Sequence, residues 1–149
     1  MSRKNSIKVL VSKDAEPVDK KYIKALSKTI NKWIDILRLD HWLIVVQIVH
    51  QSEIEKGYIA DIIPDYEYLQ AYMRVSKELK YDDFDTVICH ELLHVVLGII
   101  RDKLKYIQER ITDKEKKLFY EAEENAINVL SRVLVDIVNE LEKGGDSSE

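Results

Sequence analysis

The chain has 149 residues, of which 46% are hydrophobic and 34% are charged. This length and composition predict one globular domain with a substantial core, and the net charge of −4 argues against nucleic acid or an anionic membrane as its main partner. The single cysteine excludes an internal disulfide framework, and no stretch resembles a signal peptide or a transmembrane segment, so we expect a cytoplasmic protein.

The first half of the chain predicts one helix and up to three or four strands. Residues 1–14 contain a short apolar run and form either an arm or a short strand. Apolar residues at helical spacing predict a helix from Pro17 to about Leu37. Residues 42–49 are continuous and β-branched, which is typical of a buried strand, and residues 57–63 and 68–76 predict two more strands. The strand over residues 68–76 directly precedes the helix that carries a His-Glu-x-x-His motif, described below. We therefore expect it to be an edge strand beside a cleft.

The second half predicts two helices. One begins at Asp82 or Asp83 and runs to about Lys103. The other begins at a capping-box sequence, Thr112 to Glu115, and reaches about Leu141. We therefore expect an α+β domain over residues 1–143, with a small mixed or antiparallel sheet packed against three helices, and a disordered tail over residues 144–149.

The central motif is His90-Glu91-Leu92-Leu93-His94 in an otherwise apolar run. Positions i and i+4 of a helix share a face, so His90 and His94 can present two imidazoles to one metal ion. Glu91 is placed to act on water as a base. Because buried helices seldom carry such residues without partners, a metal site is favoured over hydrogen-bonded core histidines.

Other candidate ligands are less suited to this site. Cys89 points about 100° away from His90 on a helix, so we expect it to pack in the core. His41 and His50 flank the first predicted buried strand and are expected at strand ends or on the surface. The metzincin spacing fails, because Leu97 and Ile100 occupy the positions of its glycine and third histidine.

The third ligand is expected from an acidic cluster on the last helix. There, an apolar stripe is predicted to face the core; its members are Leu118, Ala122, Ala126, Val129, Val133 and Ile137. Glu121 borders this stripe, so we predict it as the third ligand, with Glu124 or Glu123 as alternatives. Asn125, one turn after Glu121, would then orient a ligand.

These two motifs together resemble the gluzincin clan of zinc metallopeptidases, within it the ImmA/IrrE-like and minigluzincin-like small peptidases. In those families the metal helix is followed by a glutamate helix with a pattern close to Glu-x-x-x-Asn or Glu-x-x-x-Asp. The resemblance covers about residues 69–134. It implies one zinc ion per chain held by His90, His94 and Glu121, with Glu91 as catalytic base and Asn125 in support. It also implies a peptide or protein substrate bound in extended form, and suggests a regulatory protein as that substrate.

The predicted function is therefore hydrolysis of peptide bonds by zinc-activated water. A hydroxyl from Tyr72, Tyr81, Tyr106 or Tyr120 is a candidate to stabilise the oxyanion. The alternative is a latent or catalytically weak zinc-containing regulatory or binding module, since a small domain offers a shallow cleft that a terminal segment could cover. A metal-free helical scaffold is the third interpretation. The sequence does not predict the oligomeric state.

Overall fold

Alternation of buried and exposed residues produces a four-stranded mixed sheet in the computed structural model, which describes residues 7–146. Its strands are β1 (Ile7–Val11), β2 (Leu43–Val49), β3 (Ala60–Asp65) and β4 (Gln70–Ser76), in the order β1-β2-β4-β3. β1 and β4 each run parallel to β2, whereas β3 and β4 form an antiparallel hairpin. The predicted α+β class is confirmed, and residues 7–11 of the N-terminal segment form a strand.

The helices are α1 (Lys20–Ile36), α2 (Phe84–Leu97), α3 (Ile99–Leu104) and α4 (Asp113–Asp146). α1 begins three residues after Pro17 because the Asp19 side chain caps it, accepting a hydrogen bond from the Lys21 amide at 2.9 Å. Short 3-10 turns occupy the connections before β3, before α2 and before α4. None of the helices among residues 7–146 combines the length and apolar character needed to cross a membrane.

The core lies between one face of the sheet and helices α1 and α2. Ile44, Val46 and Ile48 of β2 are fully buried on this face, beside Met73 of β4. Trp33 of α1 is also fully buried, and its indole nitrogen donates to Asp85 at 2.8 Å. α2 therefore packs against the core along much of its length, which places its histidines at the margin of the hydrophobic interior.

The strand predicted at the sheet edge is not an edge strand. β4 lies between β2 and β3, so β3 forms that edge and contacts α2. β3 also continues through Pro64, where the sequence predicted an end. Proline has no backbone N–H to pair, so it is tolerated on an edge strand and was a signal of this arrangement.

The predicted metal helix is divided at Gly98, where α2 ends and α3 begins. The Tyr66 hydroxyl donates to the backbone oxygens of Val95 at 2.7 Å and His94 at 3.2 Å. A Cβ atom at position 98 would lie 2.7 Å from this hydroxyl and would also collide with the His94 carbonyl oxygen. Glycine therefore leaves room for a tyrosine of the β3–β4 turn to donate to two carbonyls at the end of α2.

The capping box at Thr112 is confirmed. The Glu115 carboxylate accepts from the Thr112 amide at 2.7 Å, and the Glu115 amide donates to the Thr112 hydroxyl at 3.2 Å. α4 extends to Asp146, past the predicted end at Leu141 and into the segment predicted as a disordered tail. Residues 1–6 and 147–149 of the two predicted terminal segments lie outside the described part of the chain.

The face of α4 predicted to be buried is exposed. Its six apolar residues, which we call the outer stripe, lie in solvent; they are Leu118, Ala122, Ala126, Val129, Val133 and Ile137. The buried residues are Ile127, Ser131 and Val135, on the side of the helix that packs against α2. α4 thus has two apolar faces, and the one richer in large side chains is the one that faces away from the core.

Candidate metal centre

Two histidines of α2 form the base of the site. His90 and His94 lie one turn apart on one face, with ring centroids 5.2 Å apart. Burial, together with the neighbouring His94, lowers the pKa of His90, against a smaller opposing effect of Glu124. The lowered pKa favours the neutral imidazole, which is the form that binds a metal ion.

Glu124 of α4 lies beside the two histidines, and we call His90, His94 and Glu124 together the metal group. Its Oε1 lies 2.9 Å from Nε2 of His94, and its Oε2 lies 3.6 Å from Nε2 of His90. The ligand atoms of the three residues all lie within 4.8 Å of one another, so they could hold a metal ion. This is the one such group of three found among residues 7–146.

The structure does not bring Glu121, predicted as the third ligand, to this group. Its side chain is 52% exposed and lies 3.9 Å from Lys117 Nζ on the surface of α4. Asn125, predicted to support it, is also exposed, whereas Asn128 lines the cleft beside Glu124. Glu121 and Asn125 have the same i, i+4 spacing as Glu124 and Asn128, which lie three residues further along α4.

This difference follows from the orientation of α4. The prediction turned the outer stripe towards the core, which placed Glu121 at the border of the cleft. In the structure Ile127 and Val135 point into the core instead, and Glu124 and Asn128 border that buried face. In this orientation α4 contacts His94 through its glutamates, and it also packs Ile127 and Val135 into the core.

Glu123 holds the other nitrogen of the His94 ring. Its Oε2 lies 2.9 Å from Nδ1 of His94, and Arg101 of α3 donates to the same oxygen at 3.0 Å. A carboxylate on Nδ1 fixes the ring so that Nε2 faces Glu124, an arrangement common around metal-binding histidines. Glu123 was one of the alternative ligands, and the structure gives it this supporting position; the sequence carried no signal for Arg101.

Glu91 is the catalytic candidate, and it is only 7% exposed. Burial raises its pKa to about 8, and the carboxylates of Asp61 and Glu124 add to this effect. Asp61 itself pairs with Arg74 across the β3–β4 hairpin, with Arg74 Nε 2.9 Å from Oδ1. A carboxyl group with a pKa near neutrality is suited to exchange protons with water and substrate.

A cleft of about 330 Å³ opens onto these groups. It is lined by His90, Glu91, Glu124 and Asn128, together with Tyr58 and Ala60 at the start of β3. Tyr58 was not predicted, because it reaches the cleft through the pairing of β3 and no local pattern marks it. A second cleft of about 270 Å³ lies at the other end of β3, where Pro64, Tyr66 and Gly98 contribute to its wall.

Tyr120 is the member of the four predicted hydroxyl donors that contacts the metal group. Its side chain hydrogen-bonds Glu124, and burial is the largest cause of its raised pKa. The other three contact residues elsewhere: Tyr72 donates to Gln47 at 2.6 Å, Tyr81 packs on Tyr22, and Tyr106 lies beside Lys103.

Cys89 packs in the core as predicted, and His41 and His50 flank the buried strand β2 as predicted. Cys89 is fully buried, and burial raises its thiol pKa to about 12, as for a packed core residue. His50 caps a short 3-10 turn by accepting from the Ser52 amide at 3.2 Å, and His41 stacks edge-on against Trp42. Neither of these histidines belongs to the metal group.

Comparison of the chain with family models, with curated proteins and with solved structures finds no match. The functional argument therefore depends on the geometry of the site and on the motif residues themselves.

Proposed function

We propose that this chain is a zinc-dependent metallopeptidase that hydrolyses peptide bonds in an extended segment of a peptide or protein. The observation that carries the proposal is the convergence of His90, His94 and Glu124 beside the buried carboxyl of Glu91, with His90, Glu91 and Glu124 lining one cleft. Two histidines and one glutamate are a ligand set of catalytic zinc sites, which leave one position open for water.

The ion and Glu91 would divide the chemistry. Zinc, when bound, supplies a Lewis acid that lowers the pKa of water from about 16 to about 7 and polarises a carbonyl. Glu91 takes the proton from the attacking water and later delivers it to the leaving amine. Glu123 keeps the His94 ring in position throughout, and Asn128 and Tyr58 line the cleft in which the scissile bond would lie.

Glu124 as the third ligand also supports the resemblance to gluzincins. Glu124-Asn125-Ala126-Ile127-Asn128 has the Glu-x-x-x-Asn pattern of a glutamate helix, and here Glu124 contacts both histidines. We therefore propose Glu124 in the ligand position and Asn128 in the supporting position.

The free edge of β3 is the proposed binding surface for substrate. β3 pairs with β4 on one side only in the described sheet, and it lies beside α2 between the two clefts. An extended peptide can add to such an edge through backbone hydrogen bonds and place alternate side chains into the flanking clefts. Since the single cysteine, Cys89, is buried, we place this reaction in a reducing cytoplasm.

The test combines zinc content with turnover. The purified chain should bind one zinc ion, measured by mass spectrometry of the metal, and His94→Ala should lose it. Incubation with a proteome-derived peptide library, analysed by mass spectrometry, should show zinc-dependent cleavage. Glu91→Gln should keep the zinc and reduce cleavage by about a hundredfold to ten-thousandfold, because it removes the base.

Different results separate the alternatives. Full cleavage by Glu91→Gln contradicts the assigned role of Glu91. Stoichiometric zinc without cleavage of any peptide contradicts the peptidase and leaves the zinc-containing binding module. No bound zinc after incubation with the metal contradicts both.

A further inference from the structure

The outer stripe is an exposed apolar surface that the proposed site does not use. Val129 is 59% exposed, Val133 is 48% exposed and Ile137 is 51% exposed. Phe119, Leu130 and Leu141 extend the same surface along α4 and are also exposed. No charged residue falls on this side of the helix between Ala122 and Val133, over about three turns, and Asp136 lies at the edge of the stripe beyond Val133.

The area involved is that of a protein interface. Seven large apolar side chains at about half exposure, with two alanines and the adjoining Ile100, present on the order of 700 Å². The largest apolar patch of a typical monomer is about 300–600 Å², whereas a stable dimer buries about 800 Å² per partner. The patch therefore exceeds what an isolated chain usually leaves in water and approaches what one interface needs.

The order of side-chain sizes along α4 identifies a suitable occupant. The N-terminal half of the stripe carries small residues, Ala122 and Ala126, whereas the C-terminal half carries Val133 and Ile137. Two such helices packed antiparallel, centred between residues 129 and 130, align Ala122 with Ile137 of the partner subunit and Ala126 with Val133 of the partner subunit. Val133 and Ile137 then each meet an alanine, and each of these contacts occurs twice because of the two-fold symmetry.

The surface at the alanine end is concave. Leu97, Ile100, Phe119, Ala122 and Ala126 line an apolar cleft of about 260 Å³ between α3 and α4. This cleft lies where an antiparallel neighbour would bring Ile137 of the partner subunit. The cleft at the alanine end of the stripe can thus accept the isoleucine at the other end of a second copy, and such self-complementarity is what an interface between identical chains requires.

We propose that two copies of the chain pair through the outer stripe, with their α4 helices antiparallel. The pairing leaves the candidate metal centre open, because Glu124 lies two residues from Ala126 and so about 160° away around the helix axis. This inference does not depend on the proposed function, since the dimer forms with or without a bound ion.

The first experiment measures the mass of the full chain by light scattering and sedimentation equilibrium from micromolar to submillimolar concentration. We expect twice the mass of one chain. Val133→Glu places a charge at the centre of the stripe in both copies and should raise the dimer Kd about a hundredfold or more. Asn125→Glu adds the same residue to an exposed position of α4 that is not a member of the outer stripe and should leave the mass unchanged.

Folding of the variants is checked by circular dichroism and thermal unfolding. Val133 is exposed, so Val133→Glu should keep the helix content and melting behaviour of a folded chain. A wild-type chain that stays monomeric throughout this concentration range overturns the proposal. So does a Val133→Glu variant that remains dimeric, or an Asn125→Glu variant that dissociates equally.

Cross-linking tests the antiparallel arrangement separately. Cys89 is buried, so an introduced surface cysteine reports on the interface. Mixed Ala122→Cys and Ile137→Cys chains should form disulfide-linked dimers under oxidation. Each variant alone should cross-link poorly, because its two copies would lie about 22 Å apart along the helix axis. Cross-linking of Ala122→Cys with itself in preference to the mixture overturns the antiparallel pairing.

Discussion

At the scale of residues, the proposed metal site predicts a dependence on Glu124 and not on Glu121. Glu124→Ala removes the carboxylate that contacts both histidines, so we expect zinc affinity to fall at least about a hundredfold. Glu121→Ala is the matched control on the same helix and should leave the affinity unchanged, because Glu121 contacts Lys117 on the surface. Titration with zinc against a competing chelator measures both. Loss of affinity in Glu121→Ala alone would restore the earlier ligand assignment.

Glu91 also makes the stability of the metal-free protein depend on pH. Its pKa of about 8 in the folded chain lies above the ordinary value near 4.5, so the folded state retains a proton that the unfolded state has lost. Stability should therefore fall as pH rises from about 5 to about 8, by at most about 1.4 kcal/mol per pH unit from this group.

Glu91→Gln cannot ionise and should flatten this part of the pH profile, and it should be more stable than wild type at pH 8. Urea unfolding of the chelator-treated protein at several pH values measures the difference. Glu121→Gln removes a surface carboxyl group and should keep the wild-type slope. An unchanged slope in Glu91→Gln would place the titration on another group.

At the scale of elements, the end of α2 depends on the Tyr66 hydroxyl and on the space that Gly98 leaves for it. Tyr66→Phe removes the hydrogen bonds to the His94 and Val95 carbonyls, and should lower the free energy of unfolding by about 1–2 kcal/mol. Gly98→Ala should cost about 1–3 kcal/mol, because its methyl group enters the space occupied by the hydroxyl.

The losses in free energy of unfolding caused by Tyr66→Phe and Gly98→Ala should be less than additive. Once the hydroxyl is gone, the added methyl group has one collision fewer, and only the contact with the His94 carbonyl remains. A double-mutant cycle in urea unfolding measures this coupling. Full additivity would show that Gly98 and Tyr66 act independently.

The sequence predicted the helices and strands better than it predicted which of them lie next to one another. Periodicity and caps placed α1, β2 and the start of α4, and the His90–His94 spacing placed two histidines on one face. Periodicity cannot choose between the two apolar faces of α4, since it ranks faces by hydrophobicity whereas the structure buries the face that also carries Glu124. The edge position of β3, and the contacts of Tyr58, Tyr66 and Asp61, arise from strand pairing over distance and have no local signal apart from Pro64.

At the scale of the whole molecule, the metal group joins two helices that are distant in the chain. His90 and His94 belong to α2 and Glu124 belongs to α4, so an ion bound by all three requires both helices in place. Zinc should therefore raise the melting temperature, and an ion at about 100 times its Kd should add about 2.7 kcal/mol to the free energy of unfolding.

Thermal unfolding with zinc and with a chelator measures this linkage, and Glu124→Ala should lose most of the shift. An equal shift in that variant would mean that zinc binds elsewhere or without α4. The dimer contributes independently, since its surface is on the opposite side of α4.

His94 of α2 contacts two other parts of the fold. Its backbone oxygen accepts from Tyr66 of the β3–β4 turn, whereas its Nδ1 faces Glu123 and its Nε2 faces Glu124, both of α4. Because these contacts meet at one residue, such a joint restricts where residues can be inserted or deleted in a protein with this fold. Insertions and deletions within α2, or between Glu123 and Val135, would shift one partner away from the others. The connection from residue 105 to residue 112 has no part in the joint, so divergent sequences should align without gaps in the former segments and vary in length in the latter.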